Sequence, residues 1–428
     1  MVTDQLYANV VEVDITPPVG TGLDGYVARK GNSLGIHDPL LGQVLLLDLG
    51  EQQLVLISLD LLGITLEWTQ QIREGIAQAI GVPTDHTLVA CSHTHSGAAG
   101  FMPPSPGITS FEDPKLKKSV ARKLIGAAIR AKQGLLPAQI GVGRGNVRGI
   151  GLNRNDPLNG PVDDEVIVMN VIDIDGNPIA VWVNHGCHPT VLGPENLYYS
   201  ADYPGAMRSN LRKIYPNTVF LFTNGASGDV STRFTRRDQS YNEVERMGRL
   251  LAGEVLKVMQ TNNPQQGVKL SAITKEIELK FRSFPDKHTT QLEIERFKAK
   301  LEKLIASGAS HGEIRRAITR VQGAEGQAEM ANGIRGRSSN TSQIQILTIG
   351  DLTLVGLPGE TFTSTVLDIK SSSSKSNICV VSYANDYQGY FPDAFSINTG
   401  SYETLISPYN VDVAKMLSET VIGLIQNG

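Results

Sequence analysis

A chain of 428 residues with 40% hydrophobic and 19% charged residues has the composition of an ordinary globular enzyme and can bury a large core. Its three cysteines, Cys91, Cys187 and Cys379, are odd in number and widely spaced, which excludes a disulfide framework and reads as small buried hydrophobes. A formal charge of -4 with no Lys/Arg run gives no reason to expect a nucleic-acid partner, and no segment approaches the ~20 apolar residues that span a bilayer.

The N-terminus has no basic region followed by an apolar one, so the chain reads as cytoplasmic, with secretion left open if a signal peptide has been removed. Apolar strand-like runs then alternate with helical periodicity. Gln43 to Leu49, Leu54 to Leu59 and Thr87 to Cys91 read as buried strands, with a helix over about Leu66 to Ile80 and another from about Pro114 to Lys132. Glu165 to Ile172 and Pro178 to Asn184 form a predicted strand pair joined by a turn at Asp175-Gly176. Pro204 opens a helix for which Asp202 is the expected N-terminal cap. Thr218 to Thr223 is a predicted strand and Tyr241 to Gln260 a helix. Residues 285–335 are charged, with apolar Leu292, Ile294, Phe297, Leu301 and Leu304 at helical spacing, and read as an inserted helical hairpin joined at Gly308. Strand character resumes at Gln343 to Ile349, Leu352 to Leu357 and Ile378 to Tyr383, with Ser371 to Ser376 as a surface loop. The expected fold is therefore α/β: one catalytic domain over 1–428 with a mixed β-sheet, flanking helices and the hairpin inserted in it.

Chemistry-bearing residues gather where strands end. Ser92-His93-Thr94-His95-Ser96-Gly97 follows one strand and Asn184-His185-Gly186-Cys187-His188-Pro189-Thr190 another, so four of the chain's eight histidines sit in two short segments. Histidines two apart point the same way in extended backbone, and neutral imidazole is the commonest zinc ligand. The alternative for these histidines is packing against satisfied neighbours. Asn224 to Ser231 offers two hydroxyls and a carboxylate in a Gly-rich turn with no lysine, which excludes a phosphate loop. Glu360 follows the strand Leu352 to Leu357, and tyrosines recur at Tyr383, Tyr387, Tyr390 and Tyr402.

In this order the motifs resemble the catalytic domain of the neutral/alkaline non-lysosomal ceramidases, without the C-terminal β-sandwich domain that members acting on ceramide carry. The matching pieces are Asp14-Ile15-Thr16-Pro17, Gly25-Tyr26, Gly35-Ile36-His37, Ser58-Leu59-Asp60, Ser92 to Gly97, Asn153-Arg154, His188-Pro189-Thr190, Gly228 to Ser231, Gly359-Glu360 and Ser401-Tyr402-Glu403. The resemblance implies a zinc ion held by His93, His188, Glu360 and Tyr402, with Tyr390 and Tyr409 as competitors for the last place. It implies hydrolysis of a small-molecule or lipid N-acyl amide by a water that zinc acidifies. His95 is then the expected general base, Arg154 the oxyanion or substrate anchor, Ser231 a substrate-positioning group, and Asp60 a residue that orients a histidine. The sequence departs from the pattern at Ala98-Ala99 and at Thr232-Arg233, which bears on substrate more than on metal. Two other readings remain: a metal-dependent esterase or phosphoesterase, and a non-catalytic lipid- or sugar-binding relative.

Overall fold

The computed structural model describes residues 5–105, 111–265, 268–373, 375 and 377–427. Its centre is an eight-stranded mixed sheet. The strands run in the order Val219–Asn224, Pro178–His185, Glu165–Asp173, Leu136–Asn146, Tyr7–Asp14, Leu41–Leu49, Gln52–Leu59, Thr87–Cys91. The two edge strands pair parallel to their neighbours and the inner pairings are antiparallel. The two parallel edge pairs run in opposite directions, being separated by five antiparallel pairings, and one histidine loop follows a strand of each, Thr87–Cys91 and Pro178–His185.

Both faces of the large sheet are covered, which is why its strands read as nearly continuous apolar runs. On one face Val44, Leu46, Val55 and Ile57 pack on helices Leu66–Ile80 and Pro114–Gln133. On the same layer Val181, Val183 and Phe222 pack on helices Asp202–Arg212 and Tyr241–Thr261. On the other face Leu45, Leu47, Leu54 and Leu56 meet Leu347, Leu352 and Leu354 of a second sheet. That sheet orders Leu270–Lys280, Ser339–Ile349, Leu352–Gly356 and Asn377–Val381, and helices Thr363–Ser372 and Val411–Asn427 close its outer side. The result is a four-layer sandwich, helix on sheet on sheet on helix.

Helices Lys287–Ala306 and His311–Gly333 form the hairpin, whose connection turns at Gly308 with φ 66°. Two local expectations are corrected. Asp202 does not cap its helix: Ala201 holds that position without a side-chain bond, and the Asp202 carboxylate accepts from the N–H groups of Leu192 (3.1 Å) and Tyr203 (2.7 Å) instead. Of the expected Ser371 to Ser376 loop, Ser371 and Ser372 complete the helix, while 374 and 376 lie outside the described residues. Among the described residues no helix is long and apolar enough to cross a membrane, and all three cysteines are buried and unbridged.

Candidate metal centre

His93 follows the strand Thr87–Cys91 with φ 65°, a left-handed turn and not the extended backbone expected of the His-x-His pair. Three bonds impose that turn: Ser92 N–H donates to Leu59 O at 2.9 Å, His93 N–H to Leu61 O at 3.0 Å, and His95 N–H to Pro189 O at 3.3 Å. The last one ties this loop to the second histidine loop. Asn224, at the end of its own strand, ties them again. Its Nδ2 donates to Ser92 O (3.1 Å) and Cys187 O (3.2 Å), and its Oδ1 accepts from Cys187 N–H (3.1 Å).

These ties bring His93, His95 and His188 together, with their ligand atoms all within 4.8 Å of one another. Backbone carbonyls fix two of the rings. His93 Nδ1 donates to Leu62 O at 2.6 Å and His188 Nδ1 to Ser227 O at 2.5 Å. A carbonyl only accepts, so each Nδ1 carries the proton and each neutral ring leaves Nε2 bare. Burial pushes both rings down to about pH 3, so they are neutral at physiological pH. The bare His188 Nε2 has no hydrogen-bond partner and lies 3.0 Å from Glu360 Oε2; His93 Nε2 lies 3.6 Å from the same oxygen and 3.3 Å from His95 Nε2.

Glu360 is placed by a short parallel pairing of Glu360–Thr361 with Tyr390–Phe391. Gly228 lies against its backbone, where a Cβ would sit 2.6 Å from Glu360 O, so only glycine lets the Gly-Asp-Val-Ser turn approach so closely. Burial raises the Glu360 carboxyl above its usual range. Tyr387 Oη donates to Glu360 Oε1 at 2.6 Å and Tyr383 Oη lies 3.4 Å from Oε2, with the Tyr383 ring stacked on His93 at 4.0 Å. Sequence reasoning gave neither tyrosine a role. Left-handed turns at Tyr383 (φ 56°) and Asn385 (φ 65°) aim both at one carboxylate, and no pattern in the sequence announces that.

Arg154 is held in place from several sides. Its Nε lies 2.6 Å from Glu403 Oε1, and its Nη2 donates to Gly228 O (2.6 Å) and Tyr390 Oη (3.1 Å). Beside it, Asp229 accepts from Asn153 Nδ2 (2.8 Å) and from Thr363 N–H (2.9 Å) and Oγ1 (2.8 Å), and burial lifts its pKa to about 6. The Asn-Arg, Gly-Asp-Val-Ser and Gly-Glu motifs are thus one network.

Tyr402 begins the short helix Tyr402–Ile406 and packs with Phe362, Tyr390 and Ile406. Its hydroxyl lies within electrostatic range of Glu403, Arg154 and Glu360, and burial raises its pKa. Ser231 is buried beside His188 through a backbone bridge, and its Oγ accepts from Arg233 N–H at 3.4 Å. His95 Nδ1 is buried without a partner, and the ring packs against Tyr26 at 4.9 Å. Asp60 does not orient a histidine. Its carboxylate pairs with Arg208, at 2.5 Å to Nη2, and accepts Leu41 N–H at 2.9 Å; carbonyls of Leu62 and Ser227 do the orienting.

The donor set fits a divalent cation. Two bare imidazole nitrogens and a carboxylate oxygen face one another in a buried pocket, where their lone pairs repel. A proton on Glu360 relieves one of these contacts, whereas one cation among them relieves all three. Fold and centre together define the class: a layered α/β protein with a buried histidine–glutamate site suited to one metal ion.

No family profile matches the chain. Neutral ceramidase A of Dictyostelium discoideum is 27% identical over 51% of this chain, and the match spans 34% of that relative's length. A crystal structure of neutral ceramidase from Pseudomonas aeruginosa superposes with a TM-score of 0.77 at 16% identity, over 99% of this chain and 75% of its own. A structure of a ceramidase complexed with C2 gives 0.76 at 15% identity, over 99% and 76%. The chain thus has the fold of the neutral ceramidases, and the resemblance carried by its motifs is borne out.

Proposed function

We propose that this chain is a zinc-dependent hydrolase of N-acyl amides, ceramide-like lipids among them, with residues 1–428 acting as one catalytic unit. The observation that carries the reading is the pair of carbonyl-locked imidazoles, His93 and His188, whose bare Nε2 atoms face Glu360 Oε2 at 3.6 and 3.0 Å. Zinc is the ion that such a borderline nitrogen–oxygen set favours. His93, His188 and Glu360 would hold it, with Tyr402 as the fourth ligand. Bound there, the metal would polarise an amide carbonyl and acidify a water.

The chain's own residues do the rest. Burial keeps His95 neutral, able to take the proton of the attacking water and to return one to the leaving amine. Arg154, fixed by Glu403 and Tyr390, presents positive charge where the carbonyl oxygen turns anionic. Ser231, beside His188, positions the amide. The sequence and fold similarity to neutral ceramidases supports amide over ester or phosphoester substrates, and the single donor cluster found among the described residues does not suit the two-metal route of phosphoester cleavage.

One feature favours a second assignment within the same site. His95 Nε2 converges with the other two imidazoles, as a third nitrogen ligand does. The test is a panel of N-acyl amides, esters and phosphoesters on zinc-loaded protein, with His95→Ala alongside. Amide turnover that falls about 10²- to 10⁴-fold in His95→Ala with zinc retained supports the base. Zinc loss in that variant makes His95 a ligand. Turnover of esters or phosphoesters but not amides overturns the reading.

A further inference from the structure

Helix Pro114–Gln133 buries Val120, Leu124, Ala127, Ala128 and Ala131 against the large sheet and turns its other side outward. On that outward side Lys115, Lys118 and Arg122 stand three and four residues apart, so they share one face, and Lys123 flanks them. With Ser119 they line an open groove of about 490 Å³. Among the described residues none of the four has a carboxylate within salt-bridge distance; Lys123 donates to a backbone carbonyl, Asp14 O, at 2.6 Å. In sequence these cations are interrupted and form no run. The helix gathers them.

These four cations share one face of a chain whose formal charge is -4. Other cations are paired, as Lys132 is with Asp48 and Arg212 with Glu12. Three residues before the same helix Phe111 is 82% exposed, followed by Glu112, which pairs with Lys117, and by Asp113, which caps the helix. An unpaired basic face with an exposed aromatic just ahead of it in the chain matches a bilayer carrying anionic headgroups, which attract the lysines while the ring enters the interface. The same helix is joined to the metal centre. Asp113 N–H donates to Gly100 O at 2.7 Å, and Met102 packs with Tyr387, whose hydroxyl holds Glu360.

We propose that the outward face of helix Pro114–Gln133, with Phe111, is the surface by which this protein docks on anionic lipid bilayers. It deepens the proposed function, since a surface that holds the protein on a bilayer concentrates it where lipid amides lie. The lipid-amide reading supplies its purpose, but its test needs neither metal nor substrate.

The full chain is sedimented with vesicles of phosphatidylcholine alone and of phosphatidylcholine with phosphatidylglycerol. Binding to the anionic vesicles only, weakened by salt, is expected. Each cation contributes about fivefold in affinity, so Lys118→Glu with Arg122→Glu should reduce binding more than about tenfold. Lys298→Glu with Lys303→Glu, an equal charge change on the hairpin, should not. Equal binding to both vesicle types, no binding, undiminished binding by the Lys118/Arg122 variant, or tighter binding to duplex DNA than to the vesicles overturns the proposal. If the protein docks but cleaves no amide, the functional reading fails alone. If it cleaves a soluble N-acyl amide but does not dock, the surface proposal fails alone.

Discussion

The metal centre has two halves built in different ways. The histidine half consists of two strand-end loops, and every bond that shapes it is short-range or runs to backbone: Leu62 O and Ser227 O fix the rings, and Asn224 clips the loops together. The tyrosine half, Tyr383, Tyr387, Tyr390 and Tyr402 around Glu360 and Arg154, comes from the 383–406 segment and is fixed mostly by side chains meeting side chains. Backbone carbonyls at strand ends are rigid acceptors, so the first half is preorganised for an ion. The second half owes its shape to packing and to the residues it encloses.

The largest effect that sharpens this contrast is acid sensitivity. Folded His188 takes up a proton only near pH 3, while an unfolded histidine does so near 6.5. Between these values the unfolded chain binds more protons, so the contribution of His188 to stability grows as pH rises and is flat above roughly 6.5. In denaturation of metal-free protein, the stability gap between wild type and His188→Asn should widen by on the order of 4 kcal/mol across that window. A pH-independent gap would mean that the ring is not locked in a dry site. Next, Asn224→Leu leaves two buried backbone groups, Ser92 O and Cys187 N–H, unsatisfied, while Cys187 O keeps the Tyr203 hydroxyl, and should cost about 2 to 3 kcal/mol in denaturant unfolding, with metal binding impaired as the loops separate. A cost near zero would show that the loops hold themselves. The smallest effect belongs to the tyrosine half. Tyr387→Phe removes only the donor to Glu360 Oε1 and should weaken zinc binding about 10- to 100-fold in a chelator competition, with the fold unchanged. Unchanged affinity would reduce that tyrosine to packing.

The same contrast explains what the sequence disclosed. Strand-end placement of His93, His188 and Glu360 was legible because apolar runs followed by Gly-containing turns are local signals, and helices such as Leu66–Ile80 were read to the residue. Strand Leu136–Asn146 escaped notice because Gly141, Gly143 and Gly145 break its apolar alternation; at Gly143 a Cβ would fall 2.6 Å from Val258 of the covering helix. The edge strand Leu270–Lys280 escaped because it is largely exposed and charged. Asp60 was misread because a carboxylate at a strand end beside the site invites a histidine partner, whereas its actual partner, Arg208, arrives from a helix 148 residues away. Tyr387 and Asn224 were quoted within motifs yet given no role, since what they bind is settled only when distant loops meet.

The central claim is that His93, His188 and Glu360 close around one ion. Zinc content and metal-edge X-ray absorption of the dialysed protein test it most directly. One zinc per chain with nitrogen and oxygen neighbours is predicted, lost in His93→Ala together with about a thousandfold or more of amide turnover while the fold persists. Full turnover by protein stripped of metal, or a zinc signal unaltered in His93→Ala, would contradict it.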